Sequence, residues 1–223
     1  MSDSDEQKFT HHVPDPCFEE VEVLHVDDHL IVANKPSGLL SVPGRYVKDC
    51  VVHRLQFDHP DIRVVHRLDL DTSGVIAFAN SQHATSDLNR QFRERTIGKE
   101  YEALVFGHVE PDEGEVDVPM RPDPENRPRQ LVDPENGKPS LTRFRVCERL
   151  VNATRVQLLP VTGRSHQLRI HMTHIGHPIL GCDLYAHPEA FNAAERLCLH
   201  AKVLELDHPR SGERMRFEAG VSF

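Results

Sequence analysis

The chain has 223 residues, enough to bury a sizeable hydrophobic core in one domain or in two small ones. Hydrophobic residues make up 38% of the chain and charged residues 27%, as in ordinary soluble globular proteins. No apolar run approaches the roughly 20 residues that cross a bilayer, so we expect no membrane association. The five cysteines include no C-x-x-C pair, which argues against a disulfide framework or a cysteine zinc site and favours the cytoplasm.

The net charge of −9 is concentrated near the start of the chain. Residues 1–28 hold nine acidic residues and one lysine, so they carry −8 and the remaining 195 residues carry −1. The body of the protein is therefore nearly neutral, and its overall acidity does not exclude an RNA partner. We expect residues 1–18, which include Pro14 and Pro16, to form a flexible acidic tail ahead of a single domain at 19–223.

The first half of that domain combines strands with one clear helix. β-branched residues in V-E-V-L-H-V and H-L-I-V-A-N-K surround a turn-like Asp27-Asp28, which predicts a hairpin. A loop punctuated by proline and glycine follows, K-P-S-G-L-L-S-V-P-G. Farther on, apolar residues recur at i, i+4 and i+8 and predict an amphipathic helix with Ser81 as its N-cap. These apolar residues are Ala84, Leu88 and Phe92.

The second half contains mostly strands, with loops and short strands between 108 and 139. One helix is predicted at 163–176, ended by Gly176 and then Pro178. Including the first half, strands are expected at 62–65, 74–80, 99–107, 140–150, 153–161, 197–209 and 212–220. Many short strands with a few flanking helices predict an α+β fold built on a mixed, largely antiparallel sheet.

The segment H-R-L-D-L-D-T-S-G at 66–74 is open to several interpretations. D-x-D-T resembles the nucleophile loop of haloacid-dehalogenase-like phosphatases, but that loop requires a buried parallel strand, and Arg67 and His66 lie where it should be driest. D-T-S-G resembles an aspartic-protease loop, of which a working site needs two, so only a homodimer would work. Taken alone, the segment also fits a capped turn at Asp71 with an exposed Asp69.

Further motifs decide between these interpretations. H-R-L-D-x-x-T-S-G resembles the signature of the RluA family of RNA pseudouridine synthases, most closely its RluA branch. Other segments resemble that family in the same order, so that the resemblance covers roughly residues 20–220. They are N-K-P-S-G-L-L-S-V-P-G (34–44), R-Q-F-R-E-R (90–95), K-E-Y-E-A-L-V-F-G (99–107) and T-G-R-S-H-Q-L-R-I-H-M-T-H-I-G-H-P-I-L-G-C-D-L-Y (162–185).

The resemblance implies an isomerase that converts uridine to pseudouridine in stem-loops of 23S rRNA, of the tRNA anticodon arm, or of both. Nothing enters or leaves in this reaction, so we expect no cofactor. We also expect a cytoplasmic monomer without the N-terminal S4 RNA-binding module of many relatives. A tRNA-only enzyme and a non-catalytic RNA-binding or chaperone protein on the same scaffold remain alternatives.

The resemblance also assigns roles to residues. Asp69 is the essential carboxylate, Arg169 the arginine that forms an ion pair with it, and Tyr101 the ring that stacks on the target uracil. Arg67 would fill the space that a flipped-out base leaves, while His66 would pack locally. The remaining predicted RNA-binding residues are Lys99, Arg90, Arg93, Arg127, Arg129 and Arg164.

The spacing H-x-x-H-x-x-H could suggest a metal site. Its members are His171, His174 and His177. The helix should end before the third histidine, and no acidic or thiolate residue lies at a useful spacing, so we expect no metal.

Overall fold

The computed structural model describes residues 13–223, and residues 1–12 of the expected tail lie outside this range. Its strands are β1 (Glu22–Val26), β2 (Leu30–Lys35), β3 (Arg63–Val64), β4 (Ser73–Ala79), β5 (Gly98–Phe106), β6 (Glu113–Asp117), β7 (Met120–Pro122), β8 (Gln130–Val132), β9 (Leu141–Arg149), β10 (Ala153–Pro160), β11 (Leu199–Asp207) and β12 (Arg214–Glu218). Its helices are α1 (Val51–Gln56), α2 (Gln82–Glu94), α3 (Gln167–His174) and α4 (Pro188–Asn192). Ahead of β1, the Arg54 side chain donates to the carbonyls of Cys17 and Glu19.

Ten strands form one mixed sheet in the order β1-β2-β4-β11-β5-β10-β9-β6, with β12 beside β11 and β3 beside β4. The parallel pair is β4 with β11, and the other strand pairs within residues 13–223 are antiparallel. Strands β7 and β8 form a small separate sheet. The predicted α+β fold with a mixed, largely antiparallel sheet is therefore confirmed.

Helix α2 begins where the sequence predicts, because the Ser81 hydroxyl accepts a hydrogen bond from the Ala84 amide. Helix α3 begins at Gln167, four residues later than predicted. The Gln167 side chain accepts from the Thr162 hydroxyl and from the Arg164 amide, which holds the preceding residues in a turn. The short helices α1 and α4 were not predicted, since five or six residues are too few to show a helical period.

The hydrophobic core is divided between the faces of the large sheet. Tyr101 on β5 contacts two of its clusters, one around Val156 and Met172 and one around Ile76 and Phe78. The central strands β4, β5 and β11 thus form a rigid base for the segments at their ends. No helix within residues 13–223 is long and apolar enough to span a bilayer.

One buried histidine of this core makes the stability depend on pH. His171 is fully buried, and burial, reinforced by the nearby His174, lowers its pKa from 6.5 to about 4. Between these values the unfolded chain binds a proton that the folded chain does not, so the free energy of unfolding falls as the pH drops. We expect His171→Gln to remove about 3 kcal/mol of that fall. Urea denaturation at pH 7 and pH 4 measures the free energy of unfolding of both proteins. An equal decrease of this free energy in the wild type and in His171→Gln would contradict the assignment.

Candidate active site

Asp69 lies in the loop between β3 and β4. The alternation of this extended segment buries Leu68 and leaves Arg67 and Asp69 on the open side. Leu68 is fixed in place because its amide donates to the Ser41 hydroxyl, which donates back to the Leu68 carbonyl. Directly after the loop, Gly74 has φ +113, and a Cβ there would lie 2.3 Å from the Ala201 carbonyl oxygen of β11. The sheet therefore holds both ends of the loop that carries Asp69.

A buried lysine supports the same loop from behind. The Lys35 ammonium has no exposed surface and donates to three carbonyls, at 2.8 Å to Pro36, 2.6 Å to Leu39 and 2.7 Å to Leu70. Burial lowers its pKa to about 7, an effect that the nearby Asp71 and Asp69 oppose. Lys35 thus joins the loop at 36–44 to the residue that follows Asp69.

A cavity of about 290 Å³ opens in front of Asp69. Its walls come from the 66–72 loop, from β5 and from the start of α3, which are far apart in sequence. Six predicted site residues line it: Arg67, Asp69, Lys99, Tyr101, Arg164 and Arg169. The fold therefore brings the three predicted catalytic residues into one pocket.

The carboxylate of Asp69 is partly exposed, with 22% of the side chain accessible. The basic group within 4.0 Å of it among residues 13–223 is His166, whose Nε2 lies 4.0 Å from Asp69 Oδ2. This distance is too long for a hydrogen bond. Asp69 is thus held by its backbone and remains able to accept new hydrogen bonds inside the pocket.

The predicted direct ion pair between Asp69 and Arg169 is wrong. The buried Arg169 guanidinium donates to the Asp183 carboxylate, and its Nε–H lies 3.3 Å from Cys182 Sγ. Both partners follow directly after a turn at Gly181 (φ +70), where a Cβ would collide with the Arg196 carbonyl. Burial opposes the charge on Arg169, but Cys182, Asp183 and Asp69 together raise its pKa. Arg169 therefore acts on Asp69 as a nearby fixed positive charge.

Tyr101 lies on the floor of the pocket, where β5 passes beneath Asp69. Burial, and to a smaller extent Asp69, raise the pKa of its phenol well above the usual value. The hydroxyl therefore stays neutral near pH 7 and can donate a hydrogen bond, but it is a poor base.

Basic side chains surround the pocket entrance. Arg67 is exposed and makes no hydrogen bond or ion pair within the described part of the chain. A second cavity of about 320 Å³ adjoins the first, and Lys99, Phe92, Thr162, Gly163 and Arg164 line both. Arg93 and Arg95 complete its basic lining, which contains no acidic residue. Burial, with a contribution from Arg95, lowers the pKa of Lys99.

Three predicted RNA-binding arginines lie outside both cavities. Arg90 is paired with Asp87 and with Glu94 on its own helix, so its charge is largely neutralised. Arg129 donates to the Leu184 carbonyl and lies 5.8 Å above the Tyr185 ring. Arg127 is exposed on the 123–129 loop. The structure does not bring these three residues to the pocket.

The other histidines have local partners. His66 accepts from the Ala77 amide and contacts the Phe92 ring, which confirms its predicted packing role, and burial lowers its pKa to about 3. His171 lies 3.0 Å from the Ser140 hydroxyl and His177 2.9 Å from the Phe106 carbonyl, so the two diverge. Residues 13–223 contain no cluster of three or more histidine, cysteine or acidic side chains suited to a metal.

The two alternative interpretations of the 66–74 segment do not fit this geometry. A phosphatase loop would follow a buried parallel strand, whereas the loop follows β3, which has two exposed residues and pairs antiparallel with β4. The sequence contains one D-T-S-G, and in it the Asp71 carbonyl accepts a hydrogen bond from the Ser37 hydroxyl.

Sequence reasoning missed three residues beside Asp69 and Arg169. These are His166, Asp183 and Tyr185. His166 stands three positions before Arg169 at the start of the same helix, a spacing that indicates proximity. No local pattern links Asp183 to Arg169 or Tyr185 to His166, because these contacts form only after the chain turns at Gly181.

Comparison with known proteins agrees with this arrangement. Residues 29–174 match the family model for RNA pseudouridylate synthases. The chain belongs to the RNA pseudouridylate synthase family. It is 52% identical to the dual-specificity RNA pseudouridine synthase RluA of Haemophilus influenzae over 91% of this chain and 94% of that protein. The protein of the same name in Escherichia coli K12 is 53% identical, with 90% and 93% covered.

Solved structures of the family share the fold. The human RNA pseudouridylate synthase domain containing 1 superposes with a TM-score of 0.80 and 27% identity, covering 93% of this chain and 86% of the other. The human domain containing 4 gives a TM-score of 0.73 and 25% identity, with 90% and 88% covered. The ten-stranded sheet that holds the pocket is therefore the sheet of a pseudouridylate synthase.

Proposed function

We propose that this chain converts specific uridines to pseudouridine in stem-loops of both large-subunit rRNA and tRNA, with Asp69 as the essential group. The observation that carries the proposal is the pocket itself, in which Asp69, Tyr101 and Arg169 come together from three distant segments. The dual specificity for which the RluA relatives are named supports two RNA substrates. Five free thiols support the cytoplasm.

The reaction exchanges one bond for another at the ribose. The N1–C1′ bond breaks, the uracil turns, and a C5–C1′ bond forms, while C5 loses a proton and N1 gains one. Asp69 would act on the ribose, either by attacking C1′ or by taking a proton from C2′. Both roles need an ionised carboxylate, which the positive charge of Arg169 favours. The neutral Tyr101 would lie under the uracil and hold it while it turns.

The target nucleotide must leave the base stack to reach Asp69. Extrusion costs a few kcal/mol, which contacts with the protein have to offset. Arg67 is suited to this role because its guanidinium is exposed, unpaired within residues 13–223 and two positions from Asp69. A planar guanidinium can stack between the neighbouring bases in the vacated space and donate hydrogen bonds to the edges of these bases.

The second cavity is suited to the RNA backbone next to the flipped nucleotide. It holds Arg93, Arg95, Lys99 and Arg164, and no acidic side chain neutralises them. Because five residues line both cavities, the nucleotides next to a uridine in the catalytic pocket would lie near this second cavity. We propose that phosphates flanking the target uridine bind there.

Arg93→Gln and Arg164→Gln should each weaken RNA binding while leaving kcat almost unchanged. Each lost phosphate contact should reduce the slope of log Kd against log salt by about 1. Arg90→Gln is the matched control on α2, since Arg90 already pairs with two acids, and its slope should equal that of the wild type. Filter-binding titrations between low and physiological salt measure these slopes. An equal reduction of the slope in Arg90→Gln and in Arg93→Gln would contradict the assigned site.

The proposed activity is tested with purified protein, an unmodified rRNA fragment and an unmodified tRNA transcript. Carbodiimide-blocked primer extension should show a stop at one discrete uridine in each RNA. A stop in tRNA alone would support the tRNA-only alternative. Binding without stops in either RNA would support the non-catalytic one.

A further inference from the structure

A chain of hydrogen bonds ends at His166, beside Asp69. The backbone amide of Gln130 donates to the Tyr185 hydroxyl over 2.9 Å, and that hydroxyl lies 2.6 Å from His166 Nδ1. The other ring nitrogen, Nε2, faces Asp69 Oδ2 at 4.0 Å. The hydrogen bonds thus run from β8 to His166, 4.0 Å from the carboxylate, through two side chains that the proposed mechanism has not used.

The hydrogen bonds from Gln130 to Tyr185 and from Tyr185 to His166 indicate which ring nitrogen of His166 carries the proton. The Tyr185 oxygen already accepts from Gln130, and its own hydrogen has one acceptor within reach among residues 13–223, His166 Nδ1. The tautomer that gives the phenol hydrogen an acceptor within the protein has Nδ1 unprotonated, with Tyr185 donating to it. Burial raises the pKa of Tyr185 to about 12, so the phenol keeps this hydrogen at neutral pH. The proton of a neutral His166 then lies on Nε2 and is directed at Asp69.

His166 is neutral in these surroundings. Only 12% of its side chain is exposed, and burial lowers its pKa, with Asp69 opposing that effect and Arg169 adding to it. The remaining charged neighbours, Asp183 and Arg67, act in opposite directions. His166 is thus a neutral donor and not a counter-ion.

We infer that His166 is a positioning residue for Asp69, held by Tyr185 in the tautomer that presents its Nε2–H to the carboxylate. The inference rests on the proposed function, since it assigns how the catalytic carboxylate is oriented. At 4.0 Å, His166 Nε2 is too far from Asp69 Oδ2 for a hydrogen bond. We expect this distance to shorten to hydrogen-bond length when substrate fills the pocket, as catalytic hydrogen bonds often do. A neutral donor would fix one carboxylate oxygen and leave the other to act on the ribose.

The backbone at His166 supports this role. Its φ is 56°, a left-handed conformation that costs a residue with a Cβ roughly 1 kcal/mol. Its side chain makes no capping hydrogen bond to α3, so capping does not account for the conformation. Strain of this kind persists where the surroundings hold a side chain in one place.

The tautomer is measured directly in the free protein. In long-range ¹H–¹⁵N spectra of ¹⁵N-histidine-labelled protein, we expect His166 to carry its proton on Nε2. The His166→Gly spectrum identifies the signal by its absence. Tyr185→Phe should shift His166 toward a mixture of tautomers and lower kcat. A wild-type His166 protonated on Nδ1 would overturn the inference.

Kinetics on unmodified RNA distinguish positioning from a merely structural role. Glycine relieves the left-handed strain, so His166→Gly should stay folded by thermal melting, yet its kcat should fall about 100-fold with KM nearly unchanged. His166→Gln keeps an N–H donor and an acceptor for Tyr185, and it should recover much of kcat. Wild-type kcat in the glycine variant would overturn the inference. A wild-type protein inactive on both RNAs would instead overturn the proposed function, while the spectra still decide the tautomer.

Discussion

Asp69→Asn is expected to lower the rate of pseudouridine formation by about 10³-fold or more while the protein stays folded. Asparagine has the same shape as aspartate but can neither attack C1′ nor accept a proton from C2′. The loop should keep its conformation, because Leu68, Ser41 and Lys35 hold it through bonds that do not involve the Asp69 side chain.

Tritium release from RNA labelled at C5 of uridine measures this effect, since C5 loses its hydrogen when the new bond forms. Asp61→Asn, an exposed acid ahead of β3, is the matched control and should react at the wild-type rate. Equal melting temperatures would show that the fold is retained. Substantial tritium release by Asp69→Asn would remove this carboxylate from the mechanism.

Arg169→Lys is expected to lower kcat by about 100-fold although the positive charge is conserved. The guanidinium is 3% exposed and lies 5.4 Å above the Tyr185 ring, with Asp183 and Cys182 as hydrogen-bond partners. A lysine cannot reproduce this planar, multidentate arrangement, so its charge would shift relative to Asp69. We also expect a loss of stability, because the buried Cys182 and the exposed Asp183 lose their guanidinium donors.

Asp183→Asn separates the two effects in the same assay. It weakens the contact between residue 183 and Arg169 but leaves the guanidinium in place, and Asp183 does not line the catalytic pocket. This variant should therefore keep most of the wild-type kcat. A loss as large as that of Arg169→Lys would identify Asp183, and not Asp69, as the carboxylate on which Arg169 acts.

The sequence predicted elements whose signals are local. The helix α2 with its Ser81 cap and the hairpin of β1 and β2 follow from periodicity and turn residues, and the structure confirms them. The pairing of Arg90 with Asp87 and Glu94 follows equally from i,i+3 and i,i+4 spacing, so its poor fit to an RNA contact was readable from the sequence.

Contacts that depend on long-range packing could not be predicted. The partner of Arg169 was assigned from resemblance, but the turn at Gly181 brings Asp183 closer to it than Asp69. The late start of α3 depends on hydrogen bonds from the Gln167 side chain, which propensity does not reveal. The burial of Lys35 likewise requires loops at 36–44 and 66–72 to meet, a contact encoded only in the whole fold.

The central claim is tested most directly by a crystal structure of Asp69→Asn bound to an unmodified RNA stem-loop, which this variant should leave unreacted. We predict that the target uridine is flipped into the 290 Å³ pocket, with its ribose against residue 69, its uracil on Tyr101 and Arg67 in the vacated stack. A flanking phosphate should lie among Arg93, Lys99 and Arg164. RNA bound with its ribose away from residue 69, or bound on another face with all bases stacked, would contradict the account.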